Sequence, residues 1–167
     1  MAYRRPSRQV RELVGELGRA MQAYQRSTQA YDDTVGKRLG LNPADLRCLD
    51  WLVDGPKSAG ELSAAVGLKP AATTTLIDRL TDKGYVRRVA SSDDRRKVLV
   101  EMTEEGMTRT YEMYRPMVEE GQAQLLRLDV DELTRMRDYL VGIRELTDRH
   151  RERLASETGV PGEMRPR

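Results

Sequence analysis

Residues 58–83 read SAGELSAAVGLKPAATTTLIDRLTDK, and this stretch decides the fold. Ser58 and Glu61 have the Ser-x-x-Glu spacing of a reciprocal helix cap. Leu62, Ala65 and Val66 follow at helical spacing, and Gly67 is placed to stop that helix in the left-handed conformation. Leu68-Lys69 makes a turn. Pro70, which has no amide donor to lose, opens a second helix expected to run to about Lys83, with Gly84 ending it. At about 100° per residue, Thr73, Leu76, Ile77 and Leu80 fall on one side of the second helix. Ala71, Thr74, Thr75, Asp78 and Arg79 fall toward the other. Two helices joined by a tight turn containing Gly make a helix-turn-helix, whose second helix can enter a major groove.

The outward face of that helix is slim over its first two turns: Pro70, Ala71, Ala72, Thr74 and Thr75. Thr hydroxyls can meet phosphates or base edges, and Ala or Thr methyls can touch thymine methyls. Lys69 stands at the helix start, where it and the first free amides can meet a phosphate. No Arg, Asn or Gln stands at the tip, so strong bidentate base readout is not evident. Taken alone, the helix reads equally well as an ordinary amphipathic helix with a solvated face.

The next segment tilts the balance. Tyr85–Val89 and Lys97–Met102 are short runs rich in β-branched residues and charges, separated by the turn-like Ser91-Ser92-Asp93-Asp94. Between Arg87 and Lys97 lie Arg87, Arg88, Arg95, Arg96 and Lys97 against Asp93 and Asp94 alone. A basic β-hairpin beside a groove-bound helix can place an arginine in the adjacent minor groove.

Outward from this centre the chain is helical. Asn42-Pro43 starts a helix with Leu46, Leu49, Leu52 and Val53 as its expected buried face, and Asp54-Gly55-Pro56 stops it. Val10, Leu13, Val14, Leu17, Met21, Tyr24, Thr28, Tyr31 and Val35 form a continuous stripe at steps of three and four. A stripe this long is hard to bury within a small monomer and points to a partner. Thr103 caps a further helix with Met107, Tyr111, Met117, Val118 and Leu125. Asp129, with Glu132 three residues on, starts the last, whose apolar face is Leu133, Met136, Leu140 and Ile143.

Composition narrows the class. The chain has 167 residues, no Phe, 38% hydrophobic and 34% charged residues. So few large apolar groups suit a helical globule resting on Leu, Val, Ala and Met. The net charge of +2 says little about nucleic acid; the clustering near the hairpin says more. The single cysteine, Cys48, permits no internal disulfide and fits a reducing, cytoplasmic setting. No run approaches the ~18 apolar residues of a membrane span, so no membrane partner is expected. Cys48 reads as a structural thiol beside Leu49 and Leu52. His150 and Cys48 are too isolated for a metal site. Asp32-Asp33 and Glu104-Glu105 read as solvated helix surface rather than acid-base pairs. No nucleophile elbow, P-loop or zinc-protease motif is present, so no catalytic residue, metal or cofactor is expected.

The run from Asp78 to Arg88 (DRLTDKGYVRR), followed by Asp94 to Gly106 (DRRKVLVEMTEEG), resembles the MarR family of bacterial regulators. That family's pattern is a helix ending in DRLxxKGxVxR, a wing carrying DxR, a strand, and LTxxG; here Met102 stands for the usual Leu. The resemblance covers about residues 10 to 150. It implies that Asp94 pairs with Arg96 and shapes the wing, that Arg96 reaches the minor groove, and that Arg95 and Lys97 contact phosphates. It implies a recognition helix from Pro70 to Lys83, in which Thr75 is often Arg in relatives. It also implies a dimer built from the N-terminal helix and the last two helices, reading a near-palindrome with half-sites about 34 Å apart. Many members bind a small, often aromatic, anionic ligand in a cleft. For Tyr24, Tyr31, Trp51, Tyr111 and Tyr114, both such a cleft and plain core or dimer packing stay open.

The expectation is thus a mainly α protein with a small β-hairpin wing. A winged helix-turn-helix core over about 42–103 is flanked by dimerisation helices over 10–40 and 104–154, with a flexible N-terminus over 1–9 and a disordered tail over 155–167. The expected DNA contacts are Lys69, Pro70, Ala71, Ala72, Thr74, Thr75, Arg79, Arg87, Arg95, Arg96 and Lys97. The expected partners are double-stranded DNA, a second copy of the chain, and a small aromatic or anionic effector. A winged-helix protein-interaction module that does not bind DNA is the alternative.

Overall fold

The computed structural model describes residues 6–91, 94 and 97–157. It divides into two compact units, residues 1–114 and 115–167. The elements in order are α1 (Arg8–Leu39), α2 (Pro43–Val53), β1 (Lys57–Ser58), α3 (Ala59–Val66), α4 (Pro70–Asp82), β2 (Val86–Ala90), β3 (Val98–Met102), α5 (Glu104–Leu125) and α6 (Val130–Glu157). None of the described helices is long and apolar enough to cross a membrane.

The caps are those the residue types favour. The Asn42 side chain accepts from the Asp45 amide while the Asp45 carboxylate accepts from the Asn42 amide. Ser58 and Glu61 make the same reciprocal pair at α3. Gly67 closes α3 with φ 73°, a left-handed conformation that costs Gly nothing. α1 starts at Arg8 because Ser7 accepts from the Val10 amide, so helix extends into the segment expected to be flexible. α6 likewise continues to Glu157, past the expected onset of the tail, and residues 158–167 lie outside the described residues.

The first unit buries one core. Leu49 and Leu52 of α2, Leu62 and Val66 of α3, Leu76, Ile77 and Leu80 of α4, Val86 and Val100 of the strands, and Tyr85 just before β2 pack together. Val53, expected inside, is 65% exposed, because the last turn of α2 carries it past the core. The hairpin expected from sequence is there, with Val86 opposite Met102 and Ala90 opposite Val98. A third strand escaped sequence reading: Lys57–Ser58 pairs antiparallel with Val100 and Leu99, giving sheet order β1-β3-β2. A two-residue strand carries no periodicity to read.

Two glycines fix where helices meet. A Cβ on Gly36 would stand 2.9 Å from the Leu41 carbonyl oxygen and 3.1 Å from Leu46 Cδ1, so α1 runs against the start of α2 only because Gly is there. A Cβ on Gly106 would overlap the Tyr85 carbonyl and come 2.7 Å from Tyr85 Cα. The first turn of α5 thus lies directly on the backbone that enters β2. Thr103 secures this junction: its hydroxyl donates to Gly84 O at 2.6 Å and accepts from the Gly106 amide at 2.8 Å.

The second unit comprises the later part of α5 and all of α6. Asp129 and Glu132 cap α6 reciprocally, at 2.7 and 3.0 Å. Several of its apolar side chains face outward: Val130, Leu140 and Leu154 are all at least 60% exposed.

Candidate nucleic-acid interface

α4 presents the two faces its periodicity dictates. Thr73, Leu76, Ile77 and Leu80 are buried at 2% exposure or less. Pro70, Ala71, Ala72, Thr74 and Thr75 are exposed. Lys69, also exposed, is the N-cap, and no side chain caps the helix there. The first-turn amides are therefore left without a side-chain acceptor, which gives that end a partial positive charge.

Arg79 departs from expectation. Its Nε lies 3.2 Å from Asp45 Oδ1 and 3.3 Å from Oδ2, and its Nη2 lies 2.5 Å from Oδ1. Asp45 is 1% exposed. Hydrogen bonding to that carboxylate raises the guanidinium further above its already high pKa. Arg79 is thus turned onto α2, and its charge is balanced by Asp45 within the fold. The sequence signal missed here is Asp45 itself. As the third residue of a helix its carboxylate both caps α2 and reaches α4.

Arg87 is also matched internally. It lies opposite Glu101 across the hairpin, Nε donating to Oε1 at 2.7 Å. It remains 65% exposed on its side chain. Arg88 donates to Asp78 at 2.6 Å, tying β2 to the outer face of α4. Toward the hairpin end, Ser91 N donates to Lys97 O at 2.9 Å and Lys97 N to Asp94 O at 2.8 Å, narrowing the turn. Lys97 is exposed. Arg95 and Arg96, expected to be the wing's contacts, lie outside the described residues.

Two clefts adjoin along α2 in the first unit. One, of about 520 Å³, lies between α1 and α2 and is lined by Asp32, Asp33, Lys37, Arg47, Asp50 and Tyr114 among others. The other, of about 510 Å³, lies between α2, β3 and α5, with Leu46, Leu49, Val53, Met102, Met107 and Tyr111 in its wall. Leu46, Asp50 and Tyr114 belong to both. Tyr114 donates to Asp32 at 2.9 Å, and Tyr31 to Met113 O at 2.6 Å, with the two rings 5.7 Å apart. Burial, reinforced by the Asp32 contact, raises the Tyr114 phenol well above its ordinary value. Burial and repulsion from Asp32 and Asp54 raise the Asp50 carboxyl. Of the expected cleft aromatics, Tyr111 and Tyr114 do line a cleft. Trp51 lines neither, and Tyr24 is 72% exposed on a shallow ledge of α1. The carboxylates of the α1–α2 cleft oppose an anionic occupant; the α2–α5 cleft is mostly apolar.

Cys48 is fully buried in the core, and burial, with Asp45 nearby, pushes its thiol up to about 11. That makes it an inert packing residue at neutral pH. No group of three metal-ligating side chains occurs among the described residues.

Residues 39–97 match the model of the MarR family. The chain is 36% identical over 93 residues to the uncharacterized helix-turn-helix regulator YcgE of Bacillus subtilis, covering 55% of this chain and 60% of that one. It is 28% identical over 96 residues to the transcriptional repressor MdtR of the same organism, covering 57% and 62%. Each match thus spans less than two thirds of the relative's length. The crystal structure of the transcriptional regulator BldR from Sulfolobus solfataricus aligns with a TM-score of 0.51 at 26% identity, over 86% of this chain and 99% of that one.

Proposed function

We propose that this chain, whose residues 39–97 match the model of the MarR family, is a transcriptional regulator acting as a DNA-binding repressor. The observation that carries the reading is α4. Its inner face is locked into the core, while the slim face of Ala71, Ala72, Thr74 and Thr75 and the side-chain-free N-terminus stand clear of the fold. Lys69 and Lys97, with Arg95 and Arg96 from the sequence, supply the cationic rim. Repression is favoured by the kinship with a protein named as a repressor.

The working form is a homodimer on a near-palindromic operator in the cytoplasm. Val10, Leu13, Val14 and Leu17 of α1 are each between 46% and 64% exposed. A stripe of that size on a water-facing helix calls for a partner. A small aromatic ligand in the α2–α5 cleft, against Tyr111 and Met107, is the proposed releasing signal.

The test is duplex binding by gel shift across salt. Affinity is expected to fall steeply with rising salt as phosphate contacts are screened. Sedimentation is expected to give a dimer, and Leu17→Glu to weaken it. A chain that stays monomeric and ignores duplex DNA in dilute buffer would instead fit a protein-interaction module.

A further inference from the structure

Every hydroxyl on α4 has already spent its proton. Thr73 donates to Lys69 O at 3.2 Å, Thr74 to Pro70 O at 3.1 Å, Thr75 to Ala71 O at 3.2 Å and Thr81 to Ile77 O at 2.8 Å. The helix's one guanidinium, on Arg79, is held edge-on against Asp45. Its other side chains are apolar, or are the carboxylates Asp78 and Asp82, which when ionised only accept.

At about 100° per residue, the line opposite the buried face runs through Ala71, Thr75 and Asp78. It offers a methyl, a hydroxyl oxygen with a spare lone pair beside its own methyl, and a carboxylate that already takes one hydrogen bond from Arg88. In the major groove guanine shows only acceptors, N7 and O6. Adenine and cytosine show amino donors, and thymine shows a methyl. Acceptors pressed against acceptors in a desolvated groove leave both unpaired, which is costly.

We infer that the ridge Ala71–Thr75–Asp78 is a donor-free specificity determinant: α4 reads adenine and cytosine amino groups and thymine methyls, and rejects guanine on the strand it faces. This rests on the DNA-binding reading above. The Arg88 contact keeps Asp78 in place and offsets its repulsion of the phosphates, so an acid at the centre of a groove-facing surface is tolerated.

The experiment is selection of bound duplexes from a random pool by the full-length protein, followed by base-analogue substitution. Thr75→Arg marks the positions that α4 faces, because an arginine fork there can reach guanine. At those positions the wild type is expected to select adenine, cytosine or thymine on the read strand. Uracil in place of thymine, which deletes only the methyl, is expected to weaken binding several-fold. A guanine placed at one of those positions is expected to weaken binding, and 7-deazaguanine in its place, which lacks the N7 acceptor, is expected to recover part of the loss. Thr75→Arg is expected to acquire a guanine preference. Thr75→Val, equal in shape but lacking the oxygen, is expected to relax the choice of adenine or cytosine.

A guanine required by the wild type at the marked positions, with about tenfold or greater loss on 7-deazaguanine, overturns the inference alone. A Thr75→Arg motif identical to that of the wild type does the same. Failure to bind any duplex at low salt overturns both this inference and the regulator reading.

Discussion

The carboxylate of Asp45 and the guanidinium of Arg79 join α2 to α4 through three hydrogen bonds, of 2.5, 3.2 and 3.3 Å. The same carboxylate caps α2 by accepting from the Asn42 amide. One buried acid therefore sets both where α2 begins and how α4 lies across it. Arg79→Ala leaves Asp45 nearly solvent-free without its cation. Removing one partner of a fully buried pair costs about 3–5 kcal/mol. Because the Arg79 side chain is 37% exposed, the expected loss is smaller, about 2 kcal/mol. Urea unfolding checks this, and Arg79→Lys should restore only part of the loss because it lacks the planar fork. A wild-type midpoint in Arg79→Ala would remove the clamp from the account.

Gly106→Ala sets a new carbon against the Tyr85 backbone, which cannot swing away as a side chain can. Overpacking of this kind costs about 1–3 kcal/mol. The upper part of that range is expected here, read as a lowered melting temperature. Ala at Gly121, where a Cβ meets nothing within 4 Å, is the matched control and is expected to be neutral or slightly stabilising.

Cys48 gives a signature at alkaline pH. Its thiol rises from 9.0 to about 11 in the folded chain. The folded state therefore keeps its proton at a pH where the unfolded chain has lost it. The resulting stability is fully present below pH 9.0 and is lost as pH rises toward 11. The total is on the order of 2 kcal/mol. Other groups titrate in the same window, so the measurement is the difference between wild type and Cys48→Ala. The two stability curves should converge as pH climbs from 9 to 11. Parallel curves would contradict the assigned burial. At pH 7.5 the folded protein should also resist alkylation that the urea-unfolded chain undergoes readily.

Arg96→Ala tests the wing. The sequence places this residue between the two strands, beside Lys97. A loss of about 1–3 kcal/mol in operator affinity is expected, with the sedimentation behaviour of the wild type retained. Unchanged affinity in a gel shift would remove the minor-groove role.

Sequence alone revealed the elements whose signals are local. The Ser58–Glu61 box, the Asn42-Pro43 start, the Gly67 stop and the inward set Thr73, Leu76, Ile77 and Leu80 all read directly, because a cap or a helical period is contained within a few residues. What did not read was any pairing across distance. Arg79 looked like a phosphate contact because its angular position on α4 is outward of the core. Only the fold brings Asp45, 34 residues earlier, within reach. Arg87, expected at DNA, is set opposite Glu101 only by the hairpin register. Trp51 sits among apolar neighbours in sequence, yet the rotation of α2 points it away from both clefts. Gly106 stands in a sequence pattern whose reason, the Tyr85 backbone beneath it, is purely tertiary.

The placement of α2 limits how this molecule can change. Its first turn holds the clamp on α4, its middle supplies Leu46 and Asp50 to both clefts, and Val53 near its end lines one of them. Eleven residues thus serve three neighbours at once. A substitution that reshapes either cleft therefore also shifts the seat of α4. If the proposed function holds, variation in the clefts and in the outward face of α4 is therefore expected to travel together, with compensating changes appearing on α4 rather than on α2 itself.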